Sequence, residues 1–279
     1  MDRIALGVLC VVGFAGLMMF GQVTGADDGM EEGAMGEPTG FLYKSVRTER
    51  GDYPYAVFVP REYETRDDWP VILFLHGRGE SGTDGSKQLA VGLGDPMIYA
   101  PQDYPFIVVF PQKPDFESQW EDHEEAVMMM LDRELDAYNV DRSRVYLTGL
   151  SQGGNGTWYF GAHYADRFAA IVPVCGYIDR PIREPEFRWL RAEESPRVTE
   201  YAEKLREMPV WAFHGELDDV VLPSESRVMI EALRASKGVG EDDPGTKLTI
   251  YPDANHNSWD KAYREGGLVD WLLSHKLPD

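Results

Sequence analysis

The sequence predicts an α/β domain built on a mostly parallel central sheet with helices on both faces. Three observations lead there. Apolar strand-like runs alternate with helical patterns from residue 71 to the C-terminus. A Gly-x-Ser-x-Gly sequence, Gly149-Leu150-Ser151-Gln152-Gly153, stands where one strand runs into the next helix. The chain of 279 residues is 43% apolar, enough for one sizeable core, and no linker divides the alternating region.

Taken in order, residues 4–20 form a nearly unbroken apolar run behind Arg3, followed by small residues around Gly25 and Ala26. This is the layout of a secretory signal covering 1–26. The run also approaches the roughly 17 residues of the shortest spanning helix, so an uncleaved N-terminal anchor is the alternative. The expected location is secreted or periplasmic, with no stable membrane span after signal cleavage. Residues 27–40 carry Asp27, Asp28, Glu31, Glu32 and Glu37, no basic residue and several glycines. Such a stretch cannot bury enough apolar surface to offset its ordering entropy, so it is expected to be a flexible acidic linker.

The domain proper occupies 41–279. Strands at 41–47 and 53–60 flank Glu49-Arg50-Gly51-Asp52, which predicts an antiparallel hairpin at a sheet edge, where Pro54 and its missing N–H are tolerated. Buried strands follow at 71–76 and 106–111, then a long helix over 121–138. The strand at 145–149 enters the serine turn, and a helix over 155–164 leaves it. Further strands at 169–175, 209–214 and 247–251 alternate with helices at 199–208, 224–236 and 268–275. Only 177–197 breaks the rhythm, with Pro181, Pro185, Pro196, mixed charges, Phe187 and Trp189. It leaves the end of a central strand, the ligand side of an open sheet, and reads either as a lid insertion or as a surface loop pinned by its aromatics.

Composition removes several functions. With 27 basic and 48 acidic residues the net charge is −21, which disfavours nucleic acid and anionic membrane surfaces as partners. Cys10 and Cys175 are the only cysteines, and Cys10 lies in the expected signal, so no disulfide framework exists. The glycine-rich stretch after His76 lacks the Lys-Ser/Thr pair of a phosphate-binding P-loop, and His123-Glu124-Glu125 lacks the second histidine of a zinc-binding His-Glu-x-x-His. No metal is expected.

A serine hydroxyl is a weak nucleophile at neutral pH, so Ser151 requires a base, a group to orient that base, and donors for a developing oxyanion. His256 is the base the pattern selects, because it lies in a loop after the last strand, able to swing over the sheet's carboxyl edge. His76 and His214 each end a strand before glycine and read as structural. The acidic turn after His214 offers Asp218 and Asp219, in the serine, acid, histidine order expected for this turn, and spacing leaves the choice open. Backbone N–H groups of the glycine-rich loop and of Gln152 are the candidate oxyanion donors. Trp120 and Tyr177 are candidates for the substrate wall, with packing as the competing role. Cys175 reads as a small buried residue rather than a second nucleophile.

The pieces Leu75-His76-Gly77-Arg78-Gly79, Gly149-Leu150-Ser151-Gln152-Gly153-Gly154, His214-Gly215-Glu216-Leu217-Asp218 and His256, in that order, resemble the α/β-hydrolase superfamily. The resemblance runs from about residue 53 to the C-terminus. Within the superfamily the chain is most similar to the branch of carboxylesterases, thioesterases and polyhydroxyalkanoate-depolymerase or feruloyl-esterase-like proteins. It implies a sheet of about eight strands, no metal or organic cofactor, Asp218 as the acid, and Arg78 and Gln152 as the oxyanion donors. It also implies hydrolysis of carboxylic esters, small-molecule or polysaccharide-linked, through a Ser-His-Asp triad and an acyl-enzyme. A serine peptidase of the same fold, or a catalytically silent tethered binding protein, is the alternative. The acidic chain favours neutral acyl or aryl esters over polyanionic ones.

Overall fold

A computed structural model describes residues 37–179 and 191–278. The expected signal or anchor at 1–26, the acidic linker as far as residue 36, and residues 180–190 of the expected lid insertion lie outside the described residues. The strands are β1 (Gly40–Thr48), β2 (Gly51–Val59), β3 (Trp69–Leu75), β4 (Ile107–Pro111), β5 (Val140–Leu150), β6 (Ala170–Val174), β7 (Val210–Gly215) and β8 (Thr246–Tyr251). They form one eight-stranded sheet in the order β1-β2-β4-β3-β5-β6-β7-β8. Every pairing from β4 to β8 is parallel, and only β1/β2 and β2/β4 are antiparallel. This is the mostly parallel α/β-hydrolase sheet expected from the sequence.

The hairpin closes at the pair Thr48↔Gly51, with Gly51 at φ 132°, a backbone state open to glycine. The outermost strand is β1, so Pro54 lies in the second strand rather than at the edge. It pairs with Ser45 of β1 and its carbonyl accepts the Gln112 N–H at 3.1 Å, while the β2/β4 ladder begins one residue later, at Tyr55↔Pro111. β5 begins well before the apolar run at 145 because Val140 pairs with Trp69 across a register irregularity.

Helices α1 (Gly94–Tyr99), α2 (Glu124–Ala137), α3 (Gln152–His163), α4 (Pro196–Lys204), α5 (Ser224–Lys237), α6 (Trp259–Ala262) and α7 (Leu268–Leu273) cover the sheet. The short α1 and α6 carry no periodic signal. α2 starts later than 121 because Trp120–His123 form a tighter 3-10 turn, capped reciprocally by the side chains of Gln119 and Asp122. Strand β3 is buried along its whole length: Val71, Leu73 and Leu75 belong to the same buried cluster as Leu131, Phe160 and Met229 on one face, while Ile72 and Phe74 belong to the cluster of Met97, Leu268 and Leu272 on the other. Burial on both faces explains why the parallel strands read as continuous apolar runs. Among the described residues no helix is long and apolar enough to cross a membrane.

Candidate active site

The parallel strands end on one edge of the sheet, so the loops after β3, β4, β5, β6, β7 and β8 gather there. The sharpest turn is at Ser151, which caps α3 with φ 53° and ψ −115°. A non-glycine residue in that region costs on the order of 1–3 kcal/mol and persists only where its surroundings impose it. The surroundings are tight: a Cβ on Gly153 would stand 1.9 Å from the Leu75 carbonyl oxygen, and one on Gly149 2.4 Å from that of Gly153. The Ser151 N–H donates to Val174 O at 2.9 Å, and its carbonyl accepts the Asn155 N–H at 3.0 Å, so the turn is tied to both β6 and α3.

His256 reaches the serine from the loop after β8, its Nε2 2.9 Å from Ser151 Oγ. Its Nδ1 lies 2.7 Å from Asp218 Oδ2. A carboxylate only accepts, so Nδ1 carries the proton and Nε2 presents its lone pair to the serine hydroxyl. The other oxygen of Asp218 accepts the N–H groups of Val220 and Val221, both at 2.9 Å. Burial works against charge on Asp218, but hydrogen bonds from His214, His256 and the Val221 N–H outweigh it and hold the carboxyl well below the usual range. Asp219, the alternative acid, is exposed.

The two candidate oxyanion residues border the same space. Gln152 is the first residue of α3, and Arg78 the first of the 3-10 turn Arg78–Glu80, so neither N–H has an acceptor within its own helix. Both residues, with Ser151 and His256, line one cavity of about 660 Å³, within the size range of small-molecule sites. Leu150, Phe116, Tyr177, Val220 and Trp259 supply its apolar wall. The Arg78 side chain is spent on the rim: it pairs with Glu117 at 2.8 Å, donates to Phe116 O at 3.0 Å, and lies over the Phe116 ring. Glu80 also lines the cavity, and burial raises its carboxyl pKa against the pull of the Glu80 and Gly77 N–H groups.

The two candidates for the substrate wall separate. Tyr177 lines the cavity, its hydroxyl donating to Gln119 Oε1. Trp120 does not: it is fully buried, its Nε1 donates to His76 O at 3.0 Å, and its ring packs edge-on against the His76 imidazole. Its indole anchors the loop beneath the site instead. Gln152 contributes more than its backbone, since its side-chain amide donates to Ser118 O at 3.0 Å and ties α3 to the loop after β4. That loop carries Phe116, Glu117 and Gln119 into the cavity wall although no motif marks 112–119; its place after a strand's carboxyl end is the one signal in the sequence.

Cys175, Asp218 and His256 place ligand-type atoms within 4.8 Å of one another. Burial pushes the Cys175 thiol up to about 12, and the other two groups are hydrogen-bonded to each other.

Residues 118–275 match the prolyl oligopeptidase family. Feruloyl esterase B of Thermothelomyces thermophilus is 32% identical over 145 residues, which cover 46% of this chain and 47% of that protein. Acetylxylan esterase A of Emericella nidulans is 28% identical over 145 residues, covering 46% of this chain and 45% of that protein. The match thus spans about half the length of these curated relatives. A solved thermostable esterase superposes with a TM-score of 0.68 at 28% identity, covering 85% of this chain and 63% of its own.

Proposed function

The chain belongs to the prolyl oligopeptidase family of α/β-hydrolases, and we propose that it is a serine hydrolase that cleaves carboxylic esters. Ser151 is the nucleophile, His256 the general base, and Asp218 the acid that orients it. The observation that carries this reading is the unbroken line from Ser151 Oγ to His256 Nε2 at 2.9 Å and from His256 Nδ1 to Asp218 Oδ2 at 2.7 Å.

In the acylation step the Ser151 proton passes to His256 Nε2 as Oγ bonds to the ester carbonyl carbon. The carbonyl oxygen takes up the displaced electron pair as an oxyanion, facing the Arg78 and Gln152 N–H groups. Collapse breaks the bond to the alcohol oxygen, which leaves with the proton held on His256. Water then repeats the sequence on the acyl-Ser151 ester and frees the acid. Asp218 stays ionised throughout and stabilises the imidazolium, a role suited to its lowered pKa.

The relatives named as acetylxylan and feruloyl esterases favour ester over peptide substrates. The family match favours the second reading, peptide hydrolysis by the same residues. Hydrolysis of p-nitrophenyl esters and methyl ferulate without cleavage of a peptide panel supports the first; cleavage of peptides with inert esters establishes the second. The apolar wall and acidic chain point to neutral acyl or aryl esters, small or attached to polysaccharide. Release to the cell exterior through a cleaved signal at 1–26 completes the reading, and N-terminal sequencing of the exported protein tests it.

A further inference from the structure

His76, directly after β3, is fully buried and outside the proposed triad, yet its two ring nitrogens bear on the oxyanion loop. The backbone N–H of Lys113 donates to His76 Nε2 at 3.2 Å. This leaves the proton on Nδ1, which stands 2.5 Å from Gly77 O and donates to it. That carbonyl belongs to the same peptide unit as the Arg78 N–H. A donor on the carbonyl end fixes the rotation of the peptide plane and polarises the N–H at its other end.

The rest of the loop is held to match. The Trp120 indole donates to His76 O, so the imidazole sits between two anchored peptides. A Cβ on Gly77 would stand 2.8 Å from the Leu150 side chain and 3.0 Å from Glu80 Oε2, so the peptide packs closely against the strand end that carries Ser151. At the far side of the turn, Ser81 Oγ donates to Arg78 O at 2.9 Å and accepts from the buried Lys113 Nζ at 2.7 Å. Residue 113 thus braces the turn twice, through its backbone at His76 and through its side chain at Ser81.

We propose that His76 is a positioning residue for oxyanion stabilisation, its Nδ1–H holding and polarising the Gly77–Arg78 peptide so that the Arg78 N–H meets the developing charge. The inference rests on the reading of Arg78 N–H as an oxyanion donor. Burial keeps the imidazole neutral, with its pKa pushed down to about 3, so the tautomer is kept across the neutral range with Lys113, Asp84 and His123 as its titratable neighbours.

The test compares His76→Leu, which removes the donor, His76→Gln, whose amide extends past Gly77 O, and His76→Asn, whose amide nitrogen can occupy the Nδ1 position. Each is measured for kcat and KM on an ester the full chain hydrolyses, and for inhibition by an alkyl boronic acid, a tetrahedral mimic of the oxyanion. Thermal melts identify the folded variants. His76→Leu and His76→Gln are expected to lose about 10²-fold in kcat and in boronate affinity, with KM changed less than about threefold, and His76→Asn to recover most of both. Folded Leu or Gln variants within about threefold of the unsubstituted protein in kcat and boronate affinity overturn the proposal. So does an Asn variant as impaired as the others, because packing alone then accounts for His76. Ser151→Ala in the same assay separates the two levels. If the unsubstituted protein shows no Ser151-dependent hydrolysis, the catalytic reading fails and this inference with it.

Discussion

His214 Nε2 lies 3.1 Å from Asp218 Oδ2, with both side chains fully buried. His214 is itself held by Ser226 Oγ at 2.7 Å from its Nδ1 and shares its Nε2 proton with Val221 O at 2.9 Å. The carboxylate oxygen that faces His256 is therefore steadied from behind by a second imidazole, while the other oxygen is steadied by two backbone N–H groups. In the proposed mechanism Asp218 would enter with its rotamer and charge already set, which lowers the reorganisation needed when His256 takes up a proton.

Because that network converges on residue 218 and bypasses its neighbour, Asp218→Asn is expected to lower kcat by about 10⁴-fold, since an amide leaves His256 in the wrong tautomer. Asp219→Asn is expected to stay within about threefold, as surface changes away from a site usually do. Steady-state kinetics on one ester checks both. Equal losses at the two positions contradict the assignment.

Gly153→Ala tests the packing behind the serine turn. Its Cβ would meet the Leu75 carbonyl at 1.9 Å, and backbone cannot yield as a flexible side chain can. The expected cost is about 3 kcal/mol or more, roughly a 10 °C fall in Tm for a domain of this size. A melt within about 2 °C of the unsubstituted protein contradicts it.

Acid should weaken the fold in two stages. Burial pushes the His76 pKa down to about 3 from 6.5, so between these values the unfolded chain binds a proton that the folded chain does not, and stability falls as pH drops through that window. The full shift is worth roughly 4–5 kcal/mol. Asp218, whose pKa the hydrogen bonds hold low despite burial, adds a further loss below the ordinary carboxylate range, as its stabilising charge is titrated away. His76→Asn is expected to show a shallower fall in Tm than the unsubstituted protein between pH 6.5 and 4. Parallel profiles would rule out His76 as the first stage.

The sheet was legible because strands buried on both faces must be apolar throughout, and the serine turn because only glycine fits at 149 and 153. The hairpin announced itself through Gly51. Less was readable where tertiary contacts decide. Asp218 and Asp219 are identical in type and adjacent, and only the fold of the turn, with two N–H groups aimed at residue 218, buries one and exposes the other. Trp120 looks the same in sequence whether it lines a cavity or supports a loop; its bond to His76 O settles which. Phe116, Glu117 and Gln119 became wall residues through the path of an irregular loop, which has no periodicity to betray it. α3 starts at Gln152 although Gly153, Gly154 and Gly156 weaken any helical signal there.

The most direct measurement is hydrolysis of a p-nitrophenyl ester by the protein and by Ser151→Ala, at equal concentration and with matched thermal melts. The account predicts saturable turnover that the substitution lowers by at least about 10³-fold, the remainder reflecting binding and the oxyanion donors alone. Turnover that survives Ser151→Ala unchanged in a folded protein would contradict it.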